Sequence, residues 1–138
     1  MSANRRSCAP RIMAPSSLTI FARWGVLTLA VVGIGSLAPT PLLRQSGNAI
    51  AEKEQNDLRA LGAVGDVCDR FFDASGQLVQ SELDQRVIGI SPTQLRRVPP
   101  QVGIAGGEGK YTAIRAAVTG GWVNILITDL NTAKRLVG

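Results

Sequence analysis

A five-residue loop, Gly106-Gly107-Glu108-Gly109-Lys110, contains the groups in this sequence that are best suited to chemistry. It follows an apolar run from Val102 to Ala105 that has the composition of a buried strand. Glycines let backbone N–H groups approach an anion closely, and a lysine supplies a positive charge. Open α/β sheets bind ligands where their strands end. The loop therefore predicts an anion site that includes Gly106, Gly107 and Lys110.

The residue types that are missing exclude most catalytic chemistry. The 138-residue sequence contains no histidine, which removes the commonest general base, the Ser/His/Asp arrangement and most zinc sites. Its two cysteines, Cys8 and Cys68, form no Cys-x-x-Cys pair. We interpret Cys68 as a buried free thiol, which fits a reducing compartment. We predict no catalytic residue, no metal site and no cofactor.

The charge distribution disfavours direct binding of nucleic acid. The formal net charge is +5, and this excess lies entirely before Glu52, because acids and bases balance from Glu52 onward. A nucleic-acid surface concentrates its basic residues on one face and adds aromatic side chains. The early arginines are instead scattered along the chain. They are Arg5, Arg6, Arg11, Arg23 and Arg44.

Apolar runs without polar alternation predict the strands of a parallel α/β sheet. Three of them are Val87–Ile90, Val102–Ala105 and Val123–Ile127. Strands that are buried on both faces have this composition, and the segments between the runs are long enough to form crossover helices. An earlier run, Val26–Val32, predicts another buried strand, and a glycine-bearing turn from Gly33 to Ser36 follows it.

The sequence around this first strand also allows a second interpretation. Early arginines and the uncharged run Trp24–Pro41 have the pattern of a secretory signal, with a poor cleavage site at Ser36-Leu37-Ala38. Glycines and prolines interrupt the run, which is unfavourable for a membrane helix of about 20 residues. We therefore favour the buried strand.

The remaining segments predict short helices. The expected helices are Ala49–Leu61, Pro92–Arg97, the segment after the glycine loop and Asn131–Val137. In the segment after the loop, Ile114, Ala117 and Val118 share one helical face.

Turns and core residues complete the pattern. We expect a buried turn over Val64–Phe72 that contains Asp66, and a second turn over Asp73–Gly76. Large aromatic side chains are expected in the core rather than at a ligand. These are Phe71, Phe72 and Trp122.

Several ordered stretches together carry a family resemblance. They are Val32-Gly33-Ile34-Gly35-Ser36-Leu37, Gly62-Ala63-Val64-Gly65-Asp66-Val67-Cys68 with Arg70-Phe71-Phe72-Asp73 and Gly76, Arg86-Val87-Ile88-Gly89-Ile90, Gly103-Ile104-Ala105-Gly106-Gly107 with Lys110, and Leu126-Ile127-Thr128-Asp129. From about Leu18 to Val137 the chain resembles the C-terminal half of the sugar-binding domain of SorC/DeoR-type bacterial transcriptional regulators. Ordered motifs over so long a stretch are more specific than a single glycine loop. In this family the segment equivalent to Val26–Gly35 is an internal strand and turn, which opposes the signal interpretation.

The resemblance implies a three-layer, Rossmann-like α/β domain, similar to the folds of sugar-phosphate isomerases and CoA transferases. In this family the domain binds a phosphorylated sugar effector and couples that binding to oligomerisation and operator affinity. The resemblance further implies a cytoplasmic, non-enzymatic protein without a membrane segment. Full-length members form homo-oligomers and contact DNA through a separate helix-turn-helix.

The ligand-binding positions of the family can be transferred to this sequence residue by residue. The resemblance implies that Lys110 meets the phosphate, and Arg44 falls where some members place a phosphate-binding arginine. Asp66 falls where a carboxylate accepts hydrogen bonds from sugar hydroxyls. The glycines of the two turns after the strands would complete the effector site. These glycines are Gly33, Gly35, Gly106 and Gly107.

Each of these residues also has an ordinary structural interpretation. Lys110 could be a solvated lysine in the first turn of a helix, Arg44 a surface arginine, and Asp66 a helix cap. The glycines could serve only the turns. Asp129 ends a predicted strand on the ligand side of the sheet, yet it also precedes a helix, where an acid complements the helix dipole.

The sequence departs from the family pattern in its extent. Full-length members carry an N-terminal helix-turn-helix and the first half of the effector domain, and neither is recognisable here. We interpret residues 1–17 as an unmatched, disordered basic leader and residues 18–138 as a partial sugar-binding domain. Loss of half the sheet would expose the flank of a buried parallel strand, so we expect a marginally stable chain or one that associates there.

Two other functions remain open at this point. Because fold does not determine function, the chain could be a small enzyme that acts on sugar phosphates, with Asp66, Asp69 or Glu108 as its base. It could also be a gene remnant without function. We favour the effector-binding domain.

Overall fold

The computed structural model describes residues 15–38, 40–47 and 50–138. The strands in this part are β1 (Ala30–Gly33), β2 (Gly35–Ser36), β3 (Ala63–Val67), β4 (Arg70–Asp73), β5 (Gln101–Ile104) and β6 (Ile125–Ile127). The helices are α1 (Pro15–Arg23), α2 (Pro41–Gln45), α3 (Glu52–Ala60), α4 (Pro92–Arg97), α5 (Tyr111–Thr119) and α6 (Leu130–Val137). Short 3-10 helices occupy Trp24–Val26, Glu82–Gln85 and Glu108–Lys110.

A parallel sheet of β1, β5 and β6 has β5 in its centre. Val102 of β5 lies between Val31 of β1 and Ile125 of β6. The connection from β5 to β6 passes through α5, because parallel neighbours need a crossover. The predicted α/β class with a parallel sheet is confirmed.

A second sheet, of β2, β3 and β4, is antiparallel. The prediction of a buried turn over Val64–Phe72 is wrong, because this stretch forms two paired strands, the β3–β4 hairpin. Burial alternates along β3 as it does in a strand, but Gly65 and Asp66 are poor strand formers and concealed the pattern. The tip of the hairpin is Cys68-Asp69, so Cys68 is exposed rather than buried.

Two predicted strands differ substantially from the observed ones, and the other two are shifted only at their ends, β5 by one residue and β6 by two at its start. Val87–Ile90 forms no strand, because β1 and β6 already occupy both sides of β5. The first strand begins at Ala30 rather than at Val26, since Trp24–Val26 is a turn of 3-10 helix. Residues 1–14 of the predicted leader lie outside the described residues, and residues 15–17 begin α1.

The predicted helices are confirmed with shifts at their ends. The predicted start of α3, Ala49, lies outside the described residues. Ser91 and Gln94 close a capping box at the start of α4, in which each backbone N–H donates to the other's side-chain oxygen (3.1 and 3.2 Å). In α5, Ile114 is buried whereas Val118 is exposed, so the apolar face is narrower than predicted. None of the described helices is long and apolar enough to cross a membrane.

Trp122 lies fully buried in the larger of two core clusters. Its indole Nε1 donates to the carbonyl of Gly76 (2.8 Å), and its ring lies 5.3 Å from that of Phe72. The Arg96 guanidinium lies 4.8 Å from the indole centroid, within cation–π range. Phe71 belongs to the second cluster. The assignment of the three aromatic residues to the core is confirmed.

Candidate functional site

Asp66 and Gly35 are partners in the antiparallel pair of β3 and β2. The Asp66 carboxylate lies against the Gly35 backbone, and a Cβ atom at residue 35 would be 1.9 Å from Oδ1. Any side chain at this position would therefore displace the carboxylate. Gly35 is required here for close approach and not for an unusual backbone angle.

The environment of Asp66 makes this carboxyl unusually basic. Burial raises its pKa to about 6, and the neighbouring Asp69 carboxylate contributes to the rise. The Asp69 backbone N–H donates to Oδ2 (3.3 Å), and the Lys110 charge also favours the ionised form, but these effects do not offset burial. Asp66 therefore changes near pH 6 from a neutral carboxyl, which can donate a hydrogen bond, to a charged acceptor.

Lys110 reaches the same region from the end of the glycine loop. Its Nζ donates to the carbonyl of Ile34 (3.0 Å), the residue that precedes Gly35. The 3-10 turn Glu108–Lys110 leads directly into α5 and fixes where the lysine side chain starts. An ammonium group has three donors, so others remain for an anion.

A cavity of about 230 Å³ opens beside Asp66. Its lining includes the Asp66 and Asp69 carboxylates and Ser36, together with apolar side chains such as Leu43 and Phe71. The lining therefore combines hydrogen-bonding groups with apolar carbon, as small-molecule sites commonly do.

Arg44 lies on α2, next to the cavity-lining residue Leu43. Thr40 caps this helix by accepting the Leu43 N–H at its side-chain oxygen (3.3 Å). Arg44 is exposed and does not line the cavity as the described residues define it. Its contact with a phosphate stays a prediction.

The glycine loop is held by Asp129. The Gly107 N–H donates to Oδ2 of Asp129 (2.8 Å), and a Cβ atom at Gly106 would be 2.8 Å from the same oxygen. Gly107 has φ of 94°, a conformation that favours glycine. The Gly107 N–H is therefore already bonded within the protein, and the anion site predicted for the loop stays a prediction.

Asp129 follows β6 and caps α6, so its predicted role at the start of a helix is confirmed, whereas its place on the ligand side of the sheet stays a prediction. It ends the β6 segment beside the glycine loop, and it caps α6 by accepting the Thr132 N–H (3.0 Å) and hydroxyl (2.7 Å). These hydrogen bonds hold the Asp129 pKa well below its usual range. The residue therefore joins the loop to the start of α6.

The structure brings Asp66, Gly35 and Lys110 together and leaves Gly33 apart. A Cβ atom at Gly33 would meet nothing within 4 Å. Sequence reasoning considered Asp69 only as a candidate base and missed that it shares the cavity with Asp66. A hairpin prediction would have placed both carboxylates at one end of the β3–β4 pair. Among the described residues, no group of three or more acidic or cysteine side chains is arranged to hold a metal ion.

The parallel α/β sheet lies beside an antiparallel sheet that carries the Asp66 carboxylate and lines a small cavity, which is the form of an α/β ligand-binding domain. A family model with the description "Putative sugar-binding domain" matches residues 11–138. The chain belongs to this family, which comprises the sugar-binding domains of SorC/DeoR-type transcriptional regulators. The resemblance read from the motifs is confirmed.

Similar proteins are regulators of greater length. The sorbitol operon regulator of Klebsiella pneumoniae is 38% identical over 122 residues, which are 86% of this chain and 38% of that protein. The deoxyribonucleoside regulator of Bacillus subtilis is 37% identical over 109 residues, 79% of this chain and 34% of that protein. The crystal structure of full-length SorC from Klebsiella pneumoniae has a TM-score of 0.80 and 34% identity, over 91% of this chain and 40% of that one. The chain spans less than half the length of these relatives.

Proposed function

We propose that this chain binds a phosphorylated sugar as the effector of a transcriptional regulator. The observation that carries the proposal is the Asp66 carboxylate, which lines a cavity of about 230 Å³ and lies within the electrostatic influence of Lys110, although Lys110 itself does not line that cavity. Lys110 would take the phosphate as a point charge, and Asp66 would orient sugar hydroxyls. Arg44 and the turn glycines Gly33, Gly35, Gly106 and Gly107 are further candidate contacts.

The names of the relatives support a carbohydrate ligand. One relative is a sorbitol operon regulator and another a deoxyribonucleoside regulator. We infer that the whole protein acts in the cytoplasm without catalysis, as a homo-oligomer that contacts DNA through a part other than the described residues.

Thermal unfolding tests the effector site. Sorbitol 6-phosphate and deoxyribose 5-phosphate are suitable probes, with sorbitol and deoxyribose as unphosphorylated controls. A ligand at about 100 times its Kd should stabilise the fold by roughly 2.7 kcal/mol. We expect a rise in the unfolding temperature with a phosphorylated sugar only, and its loss in Lys110→Ala.

Lys53→Ala is the matched control, because Lys53 is an exposed lysine on α3 that pairs with Asp57 (2.9 Å) and does not line the Asp66 cavity. It should keep the full ligand response. An undiminished response in Lys110→Ala, or equal responses to phosphorylated and free sugars, would refute the assignment of Lys110 to the phosphate.

One observation favours a second candidate function. Asp66, with a pKa of about 6, has the basicity of a general base that works near neutral pH. The candidate reaction is proton abstraction from a sugar phosphate, as in isomerisation. Incubation of the chain with aldose and ketose phosphates in D₂O tests this by NMR, and deuterium uptake that Asp66→Asn abolishes would establish it.

A further inference from the structure

Asp69 adds a second carboxylate to the lining of the cavity beside Asp66. The two residues lie on either side of the β3–β4 turn, which brings the Asp69 backbone N–H to the Asp66 carboxylate (3.3 Å). Asp69 is exposed, so a ligand that enters the cavity can meet its charge. The role proposed for Asp66, orienting sugar hydroxyls, does not by itself involve this second charge.

Among the described residues that line the cavity, none is a lysine or an arginine that could balance the two carboxylates. The others are Ser36, Leu37, Leu43, Ile50, Gln55 and Phe71. The pKa of Asp66 reflects this imbalance, because burial and then the Asp69 charge raise it, and the opposing effect of Lys110 is smaller. The cavity is therefore negative on the side that the hairpin contributes.

Two arginines of neighbouring elements are engaged elsewhere. Arg59 of α3 donates to the Asn56 side chain (2.9 Å) and to the carbonyl of Leu37 (3.2 Å). Arg70 of β4 donates to the carbonyl (3.2 Å) and to Oδ1 (3.4 Å) of Asp84. Neither arginine lines the cavity as the described residues define it. They do not supply the charge that the cavity lacks.

We propose that Asp69 restricts the effector to sugars that carry a single anionic group. The inference rests on the proposed function, in which Lys110 holds the phosphate and the rest of the sugar enters the cavity. Lys110 donates to the carbonyl of Ile34 (3.0 Å), and the Asp66 carboxylate lies against Gly35, so adjacent residues of one turn contact the phosphate-binding lysine and the cavity.

The charge of a ligand group inside the cavity decides how the two carboxylates act on it. Hydroxyl groups donate hydrogen bonds to carboxylates. A second phosphate or a carboxylate would instead lie beside Asp66 and Asp69, and like charges in contact disfavour the wrong ligand. Asp69 thus selects against a ligand that Lys110 alone would accept.

Matched pairs of ligands test the proposal with the full chain. Sorbitol 6-phosphate is paired with 6-phosphogluconate, and 2-deoxyribitol 5-phosphate with 2-deoxyribonate 5-phosphate. In each pair the second compound has a carboxylate where the first has a hydroxymethyl group. At about pH 7.5, where Asp66 is ionised, titration calorimetry should show that the acid binds at least about tenfold more weakly than its partner.

Asp69→Asn should shrink this ratio at least about fivefold and leave the affinity for the sugar alcohol within about threefold of the wild type. Asparagine tolerates the left-handed backbone at residue 69 (φ of 58°), so the turn should be kept. Asp57→Asn is the matched control, because it removes an exposed carboxylate that pairs with Lys53 (2.9 Å) outside this cavity. It should keep the wild-type ratio.

The outcomes separate this inference from the proposed function. If the wild type binds both members of a pair equally, or if Asp69→Asn leaves the ratio unchanged, the inference is overturned and the proposed function stands. If the wild type binds no member of either pair, both are overturned. Carbon NMR titration of the Asp66 carboxyl needs no ligand. It should give a lower pKa in Asp69→Asn than in the wild type, and an unchanged pKa would overturn the inference.

Discussion

Asp129 determines where the Lys110 side chain starts, through a short chain of hydrogen bonds. Oδ2 of Asp129 accepts the Gly107 N–H (2.8 Å), and the Gly107 carbonyl accepts the backbone N–H of Lys110 (3.0 Å). Asp129 follows β6 and Gly107 follows β5, so the carboxylate joins the ends of two parallel strands. The phosphate-binding candidate is thus positioned by a residue that need not touch the ligand.

Asp129→Ala should destabilise the fold. The substitution removes the cap of α6 and the tie to the glycine loop, and loss of a cap costs about 1–2 kcal/mol. Urea unfolding followed by circular dichroism measures the change. Glu108→Ala is the control, because its ion pair with Arg135 (3.8 Å) is exposed and should contribute less than about 0.5 kcal/mol. Equal costs for the two variants would contradict the bridging role of Asp129.

Gly35→Ala should weaken ligand binding far more than stability. The added Cβ meets the end of the Asp66 side chain, which can rotate away. We expect a loss of less than about 1 kcal/mol in the free energy of unfolding, with affinity for a phosphorylated sugar reduced at least about tenfold. Gly25→Ala is the control, because a Cβ there has open space and Gly25 is not a candidate ligand contact. Titration calorimetry with sorbitol 6-phosphate and deoxyribose 5-phosphate measures the affinity of each variant. Equal affinities of the Gly35→Ala variant and the control would count against Asp66 as a ligand contact.

Asp66 should make the fold less stable as the pH rises. Its pKa increases on folding from 3.8 to about 6, so the folded state binds this proton more tightly. The stability that tighter proton binding by Asp66 gives to the fold is fully present below about pH 4. It declines as the pH rises towards 6 and is lost above that pH. Asp66→Asn should therefore be more stable than the wild type at pH 7, by at most about 3 kcal/mol, with the difference vanishing near pH 4.

Asp73→Asn provides the comparison for this pH experiment. Hydrogen bonds from Ser75 and Gln77 lower the Asp73 pKa, so the stability that this carboxylate contributes is lost as the pH falls. Its variant should lose stability at neutral pH, where Asp66→Asn gains it. Urea unfolding at a series of pH values tests both, and parallel profiles for the two variants would refute the raised pKa of Asp66.

Trp122→Phe should be strongly destabilising. The substitution leaves the buried carbonyl of Gly76 without its indole donor and removes ring atoms from the core. We expect a loss of about 2–4 kcal/mol in the free energy of unfolding. Trp24→Phe should cost less than about 1 kcal/mol, because Trp24 is only half-buried beside α1. Thermal or urea unfolding measures the loss of stability in each variant. A Trp122→Phe variant as stable as the wild type would be inconsistent with this core.

The parallel strands and most helices could be predicted because their signals are local. Val102–Ala105 is apolar throughout, and Ser91-Pro92 starts a helix by itself. Val87–Ile90 has the same local signal but no place in the sheet, since both neighbours of β5 are other segments. The order of strands in the sheet explains why Val102–Ala105 forms a strand and Val87–Ile90 does not. That order cannot be inferred from the residues of either run alone.

The site was predictable in its residue types but not in its contacts. Glycines and a lysine after a strand indicate an anion site from composition alone. The bond between Gly107 and Asp129 joins residues far apart in the sequence, and the approach of Gly35 to Asp66 depends on a hairpin whose strand contains glycine and aspartate. Such contacts follow from packing, and the order of residues does not reveal them.

The hairpin tip bears on when the site forms. Cys68 and Asp69 link Val67 to Arg70 as a two-residue loop, and their φ angles of 54° and 58° follow the pattern of a type I′ turn. Asn-Gly is the usual sequence for this turn, whereas each non-glycine residue in a left-handed conformation costs on the order of 1 kcal/mol. The turn that places Asp69 next to Asp66 is therefore unfavourable for the local sequence by itself. We therefore predict that the two carboxylates come together only after the sheet and core have assembled, and that this cavity forms late in folding.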